Sequence, residues 1–215
     1  MAREFLHSFV GLDDLPTTTL DGKRHYITPA GVLPSVTTVL GEKLQSSKGL
    51  DEWRARVGQQ EADRISKQAL SRGSAVHSIC ENYILNRDYK AGVMPMDLYT
   101  FLQIKPYLDA NLGSIYGIEA PLYSANLKTA GRTDLMAGWN GVNSIIDFKT
   151  ARKPKKEEYI ESYFLQGTCY SLMAEERTFL KFPQIVIVIA VDHEEPQIFI
   201  KQRDEYADKV RQIFQ

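Results

Sequence analysis

The stretch TAGRTDLMAGWNGVNSIIDFKT, Thr129–Thr150, decides how this chain reads. At its centre Asn140-Gly141 is the strongest turn signal in the sequence, because a two-residue type I′ turn needs φ > 0 at both positions and Asn-Gly adopts that pair readily. Counting outward from the turn places Asp134 directly opposite Asp147, a non-hydrogen-bonded pair with Cα atoms about 4.5 Å apart. The alternation separates two faces. Leu135, Ala137, Trp139, Val142, Ile146 and Phe148 point one way as core, while Arg132, Asp134, Asp147 and Lys149 point the other. A bulge near Gly138 would shift this register.

Two ionised carboxylates about 5 Å apart repel by roughly 3 kcal/mol at an effective dielectric near 20. Like charges facing each other across a sheet are destabilising, and a cation is the natural remedy. Oxygen ligands select a hard divalent ion, Mg²⁺ or Mn²⁺. The alternative is an exposed pair neutralised by Arg132 and Lys149. Lys149 follows Asp147 by two residues on the same face. Its ammonium can stabilise charge on an attacked phosphate or help deprotonate a water. With a metal to activate that water, the expected chemistry is phosphodiester hydrolysis. An isolated Asp-x-Lys triplet is common on solvated strands, so the rest of the chain has to carry weight.

Upstream, Asp51 to Asn86 has helical character, with apolar positions at Ile65, Ala69, Val76, Ile79, Cys80 and Tyr83. His77 and Glu81, at i and i+4, share a face of that helix. His77 can complete an oxygen-rich metal site, and Glu81 can bind metal or hold His77; a surface or capping role is the alternative. Glu119, on the strand before the hairpin, is a further acidic candidate. Residues 15–30 read as a hairpin about Asp21-Gly22, Ser35 as the N-cap of a helix, and 96–112 as another helix. Downstream, Pro154 to Arg177 reads as a long helix with Pro154 in its first turn. Tyr159, Tyr163, Gln166 and Tyr170 form one stripe on it. Gln166 can orient a phosphate or water and the tyrosines can face nucleic acid, or the stripe packs as core. Arg152, Lys153, Lys155 and Lys156 are four cations within five residues beside the acidic pair, either a phosphate-binding run or a solvated loop. Trp53 is a candidate for base stacking. Ile185 to Asp192 and Gln197 to Lys201 are the last strands, and Asp204 to Phe214 closes the chain as a helix. Helices thus flank a central block of strands, which predicts one α/β domain over 1–215 with a mixed sheet. It divides into a hairpin region (1–33), a helical region (34–112) and a catalytic sheet with its flanking helices (113–215).

Composition narrows the function. Of 215 residues, 43% are apolar and 25% charged, with a net charge of -1, which excludes a generally basic DNA coat and requires any nucleic-acid contact to use a local patch. Cys80 and Cys169 lie in helix-like apolar patterns and read as buried hydrophobes. Two cysteines are too few for a four-cysteine zinc or iron–sulfur site. No segment reaches the roughly 18 apolar residues of a membrane helix. The start, Met1-Ala2-Arg3-Glu4-Phe5, has no signal or transit pattern. The expected location is cytoplasmic.

Taken in order, the motifs resemble the PD-(D/E)xK nuclease superfamily, in its RecB-like branch of exonucleases, the group of the mitochondrial genome maintenance exonucleases and their phage and bacterial relatives. The matching residues are Pro34-Ser35-Val36-Thr37, Gly73 to His77 with Glu81, Glu119, Gly131-Arg132-Thr133-Asp134, Ile146-Asp147-Phe148-Lys149-Thr150, Lys153-Pro154-Lys155, and Gln166 with Tyr170. They span about residues 26 to 175. The resemblance implies a restriction-endonuclease-like sheet flanked by helices. It implies metal ligands at His77, Asp134, Asp147 and the carbonyl of Phe148, and a catalytic lysine at Lys149. Glu81 and Glu119 are then secondary acidic positions, with Gln166 and Tyr170 as the helix motif. Ser35, Thr37, Arg132, Thr150, Tyr163, Tyr170 and the basic run are the expected nucleic-acid contacts. It further implies Mg²⁺ or Mn²⁺ dependence, and DNA as partner, preferably single-stranded with a free end, in repair or recombination.

The chain departs from some members of that superfamily. It lacks cluster-binding cysteines and helicase motifs. It also lacks the N-terminal extension of the mitochondrial enzymes, which points to a bacterial or phage origin. A double-strand-specific exonuclease, a structure-specific endonuclease and a non-catalytic DNA-binding protein are the alternatives.

Overall fold

The computed structural model describes residues 3–44 and 47–214, without side chains for residues 47–51. Met1 and Ala2, part of the stretch read above for a leader, lie outside the described residues. The hairpin forms as the turn demands. β5 (Thr129–Trp139) and β6 (Val142–Ala151) are joined by Asn140 and Gly141, with φ of 51° and 79°. Their ladder runs without a bulge from Trp139↔Val142 to Leu135↔Ile146. No bulge falls at Gly138; the register shifts are on the neighbouring strand, β4 (Leu112–Ser124), between Leu112 and Gly117.

Two more strands complete the sheet, β7 (Gln184–Val191) and β8 (Gln197–Gln202), in the order β4-β5-β6-β7-β8. Every neighbouring pair is antiparallel except β6 and β7, which run parallel. A parallel pair needs a crossover, and α5 (Glu161–Thr178) supplies it. β7 reads QIVIVIAV and is buried throughout, because both of its faces are covered. On one face, α5 and α1 (Val36–Lys43) pack over Met136, Ile145, Ile187 and Ile189. On the other, α3 (Gln59–Ile84) and α4 (Pro95–Asn111) cover Leu135, Ala137, Trp139, Ile146, Phe148 and Val188. The architecture is a mixed α/β sheet flanked by helices.

Four expectations change. The two aspartates do not share a solvated face opposite a core: Asp147 is 2% exposed and meets Gln166 of α5, whereas Asp134 lines a cleft with His77, Ile84 and Phe148 on the α3 side. Val142 is exposed, since it borders the turn beyond the covering helices. The helix expected from Pro154 starts at Glu161, after a short 3-10 turn at Glu157–Tyr159, and the tyrosine stripe therefore loses Tyr159, which is exposed. The long helical stretch before residue 86 is two helices, α2 (Ser47–Val57) and α3, divided at Gly58, whose φ of 86° suits glycine. Before α1, β1 (Thr17–Leu20) and β2 (Lys23–Thr28) form the expected hairpin. A third strand, β3 (Gly31–Pro34), extends it into a small sheet docked on Ala130. Cys80 and Cys169 are buried free thiols.

Candidate active site

The site occupies the point where the hairpin ladder stops. One row beyond Leu135↔Ile146, the alternation of a regular antiparallel pair would set Asp134 opposite Asp147, and one row further Phe148 would bond to Thr133. That ladder is absent. Instead the Phe148 N–H donates to Asp134 Oδ2 at 2.8 Å, and the Phe148 carbonyl meets His77 Nε2 at 2.7 Å. Both Phe148 main-chain groups released by the break are taken by side chains that the resemblance assigns to a metal.

His77 reaches this position from α3, anchored by its neighbours Val76, Ile79 and Cys80 in the core. Its Nδ1 lies 3.5 Å from Asp134 Oδ1. Burial opposes a charge on the ring, but hydrogen bonding to Asp134, together with the charges of Asp134 and Asp147, lifts its pKa to about 9. The imidazolium therefore presents both N–H groups, one toward a carboxylate and one to a carbonyl. A cation already sits among oxygen acceptors here, and it belongs to the protein.

Glu119 completes the cluster. The pairs Ile118↔Leu135 and Ala120↔Thr133 bracket it, placing it across β4–β5 from Asp134. Its φ is 46°, a left-handed conformation that costs a non-glycine residue roughly 1–2 kcal/mol. Burial, and then the charge of Asp134, push its carboxyl up to about 7. Ligand atoms of His77, Glu119 and Asp134 lie within 4.8 Å of one another, the one such group among the described residues. Glu81 lines the same narrow cleft, with Ile84, Ile118 and Phe148. Two neighbouring carboxylates and a histidine, with the Glu119 carboxyl raised by burial and by Asp134, fit a divalent cation by donor chemistry.

Asp147 sits apart from this trio. Its Oδ2 is ion-paired with Lys149, and Oδ1 accepts from Gln166 Nε2 at 3.3 Å. Burial, partly offset by Lys149, raises its pKa. Asp134 behaves oppositely: burial works against its charge, but His77 and then Lys149 hold it below the usual carboxylate range. Lys149 is pushed down by burial, and Asp147 and Asp134 more than compensate, so it remains an ammonium. Its Nζ stands 5.1 Å from the centre of the Tyr163 ring.

The expected nucleic-acid contacts divide. Arg152, Lys153, Lys155 and Lys156 are exposed on the loop after β6. Thr150 is half-buried beside Gly73, and Thr37 is exposed and bonded to Arg24. Tyr170 is 3% exposed and lies against Gly131, so it packs and does not face a ligand. Ser35 is buried too, its hydroxyl accepting from Thr38 N at 3.1 Å as the cap of α1. Arg132 is committed to protein partners, Asp14 and the Glu119 carbonyl. Trp53 is half-buried on α2. Sequence reasoning placed Glu119 as a secondary acid. Its closeness to His77 depends on a register set across a four-residue loop and on a left-handed residue, neither of which the sequence advertises.

No protein-family model matches the chain. Among curated proteins it is similar to mitochondrial genome maintenance exonuclease 1 of Xenopus tropicalis, 25% identical over 158 residues, which cover 70% of this chain and 44% of that protein. The protein of the same name from Mus musculus is 22% identical over 129 residues, covering 57% and 38%. The resemblance drawn from the motifs is borne out by these matches, although the chain spans less than half the length of either relative. A crystal structure from Eubacterium rectale, described as a candidate exonuclease, aligns with a TM-score of 0.45 at 17% identity, covering 68% of this chain and 63% of that one.

Proposed function

We propose that this chain is a deoxyribonuclease that depends on Mg²⁺ or Mn²⁺ and hydrolyses phosphodiester bonds from a free end, with single-stranded DNA preferred. The observation that carries this reading is the convergence of His77, Glu119 and Asp134 at the ladder break, with the Asp147–Lys149 pair beside them. The similarity to proteins named exonucleases supports the reaction class. The strand preference rests on the motif resemblance.

In this reading His77, Glu119 and Asp134 hold the cation, with Asp147 and the Phe148 carbonyl at hand. A divalent cation in such a site polarises a phosphoryl oxygen and activates water for attack on phosphorus. Lys149 is held charged by two aspartates, so it stabilises negative charge developing on the phosphate and does not serve as a base. Asp147 aims that ammonium, Gln166 aims Asp147, and the ring of Tyr163 covers the ammonium. The exposed run Arg152, Lys153, Lys155 and Lys156 lies on the strand's continuation and suits a phosphate backbone.

The test is digestion of end-labelled single-stranded, double-stranded and circular single-stranded DNA with Mg²⁺, Mn²⁺ or EDTA. The expected result is metal-dependent loss of linear single strands, sparing of circles, and no digestion by Asp147→Ala. Equal digestion by wild type and Asp147→Ala removes this site as the catalytic centre, and digestion in EDTA removes the metal dependence. Cleavage of circles makes the enzyme an endonuclease.

A further inference from the structure

We propose that Arg132 is a positioning residue for the metal site: its guanidinium holds the main chain of Glu119 in the left-handed conformation that delivers the Glu119 carboxylate to His77 and Asp134. The proposal rests on the metal-site reading above and assigns Arg132 a task different from phosphate binding.

Glu119 interrupts β4 between two residues that keep their register with β5, Ile118 with Leu135 and Ala120 with Thr133. With φ at 46°, its peptide groups leave the plane of the ladder. Its carbonyl needs another donor, and Arg132 Nη1 provides one at 2.7 Å. The second arm of the same guanidinium, Nη2, is tied to Asp14 in the segment that precedes β1. A planar fork with both arms engaged has a fixed orientation, and that fixes the carbonyl it holds. Arg132 and Asp134 are two residues apart on β5, so the residue that bends Glu119 and the residue that Glu119 joins lie on one strand. Released from Arg132, Glu119 would regain its ladder bonds by returning to extended geometry, and its carboxylate would leave the cluster. Asp14 is largely exposed, so it steadies the guanidinium without being essential to the bend.

The experiment is Mn²⁺ binding by titration calorimetry in the absence of DNA, on wild type, Asp134→Ala, Arg132→Ala, Arg132→Lys, Glu119→Gln and the double variant Arg132→Ala/Glu119→Gln. Removing an outer group that orients a ligand weakens metal affinity on the order of 10- to 100-fold. Arg132→Ala is expected to fall in that range, and Arg132→Lys, which keeps one donor, is expected to recover part of it. The double variant should bind Mn²⁺ no more weakly than Glu119→Gln alone, because Arg132 acts through Glu119. In turnover, excess Mn²⁺ should restore the kcat of Arg132→Ala, with the KM for DNA unchanged. The proposal is overturned if Arg132→Ala binds Mn²⁺ like wild type while its KM for DNA rises, or if the two single effects multiply. A wild type that binds no Mn²⁺, or an Asp134→Ala variant that binds it equally well, overturns the metal reading itself, a result distinct from either of those.

Discussion

Protonation of the cluster sets a quantitative test of the metal reading. His77 has a pKa of about 9, raised by Asp134 and Asp147, and Glu119 one of about 7, raised by burial and then by Asp134. The sign follows from competition: a proton on either group must leave before that group can serve as a ligand, so affinity rises with pH. At pH 7 a group with pKa 9 is about 99% protonated and one with pKa 7 is about half protonated, so each cation should release roughly 1.5 protons. Between pH 7 and pH 8 the His77 contribution tightens binding about 10-fold and Glu119 adds about 2-fold, which makes roughly 15- to 20-fold together. The assay is calorimetric titration with Mn²⁺ at both pH values, in buffers of differing ionisation enthalpy so that released protons are counted. His77→Gln should bind Mn²⁺ more weakly and release fewer protons than wild type, the remainder coming from Glu119, whose carboxyl rises further once the His77 charge is gone. An affinity that moves less than about 3-fold over that pH unit, or release of fewer than about 0.5 protons by wild type, would refute the claim that these two groups are the ligands displaced.

Three other perturbations separate the parts of the site. Lys149→Met should lower kcat by roughly 100-fold or more while leaving Mn²⁺ affinity within a few-fold, as expected of a group that meets the phosphate and not the metal; loss of metal binding in that variant would assign the lysine elsewhere. Gly131→Ala puts a Cβ 2.6 Å from Tyr170 Cε1 and 2.8 Å from its hydroxyl oxygen, so overpacking should cost about 1–3 kcal/mol, read as a lowered melting temperature. An unchanged melting temperature would mean that the ring has room to move. Replacing Arg152, Lys153, Lys155 and Lys156 by alanine should flatten the salt dependence of single-stranded DNA binding by about 3 in log–log slope, with Mn²⁺ binding untouched; an unchanged slope would make the run a solvated loop.

What the sequence reveals here depends on the range of the determinant. The hairpin was legible because Asn140-Gly141 fixes turn type, turn length and register within two residues, and the ladder from Trp139↔Val142 to Leu135↔Ile146 follows from it. Ser35 as a cap and the strand at Ile185 were legible for the same local reasons. The late start of α5 was not, because Pro154 is as compatible with a loop as with a first helical turn, and the segment that follows is held by the Lys155 N–H bond to the Gln197 side chain on β8, a partner 42 residues away. The burial of Asp147 was missed for a related reason. Alternation distinguishes two faces of a strand, but the sequence of β6 alone cannot say that α5 covers the polar one. Tyr170 illustrates the cost: at its spacing it matches a ligand-facing stripe, yet Gly131 makes room for its ring and it packs inward.

The place where the hairpin reading stops being accurate is also where the chemistry gathers, and the two facts have one cause. A regular ladder consumes every main-chain donor and acceptor on the strands it joins. As long as β5 and β6 remain paired, Phe148 has no carbonyl to offer and Asp134 no reason to turn inward. Breaking the ladder one row past Leu135↔Ile146 frees the N–H and C=O of Phe148, and the left-handed Glu119 breaks the matching row toward β4. Three of the freed groups are satisfied by charged side chains: Asp134 on the Phe148 N–H, His77 on the Phe148 carbonyl, Arg132 on the Glu119 carbonyl. A buried break of this kind would be costly if its polar groups were left bare, since an unpaired buried group loses about 1–3 kcal/mol. Two of those side chains, Asp134 and His77, belong to the proposed metal cluster. It follows that mending the ladder should be harmful to function without harming the fold, whereas a break elsewhere in β5–β6 would harm the fold and create no site.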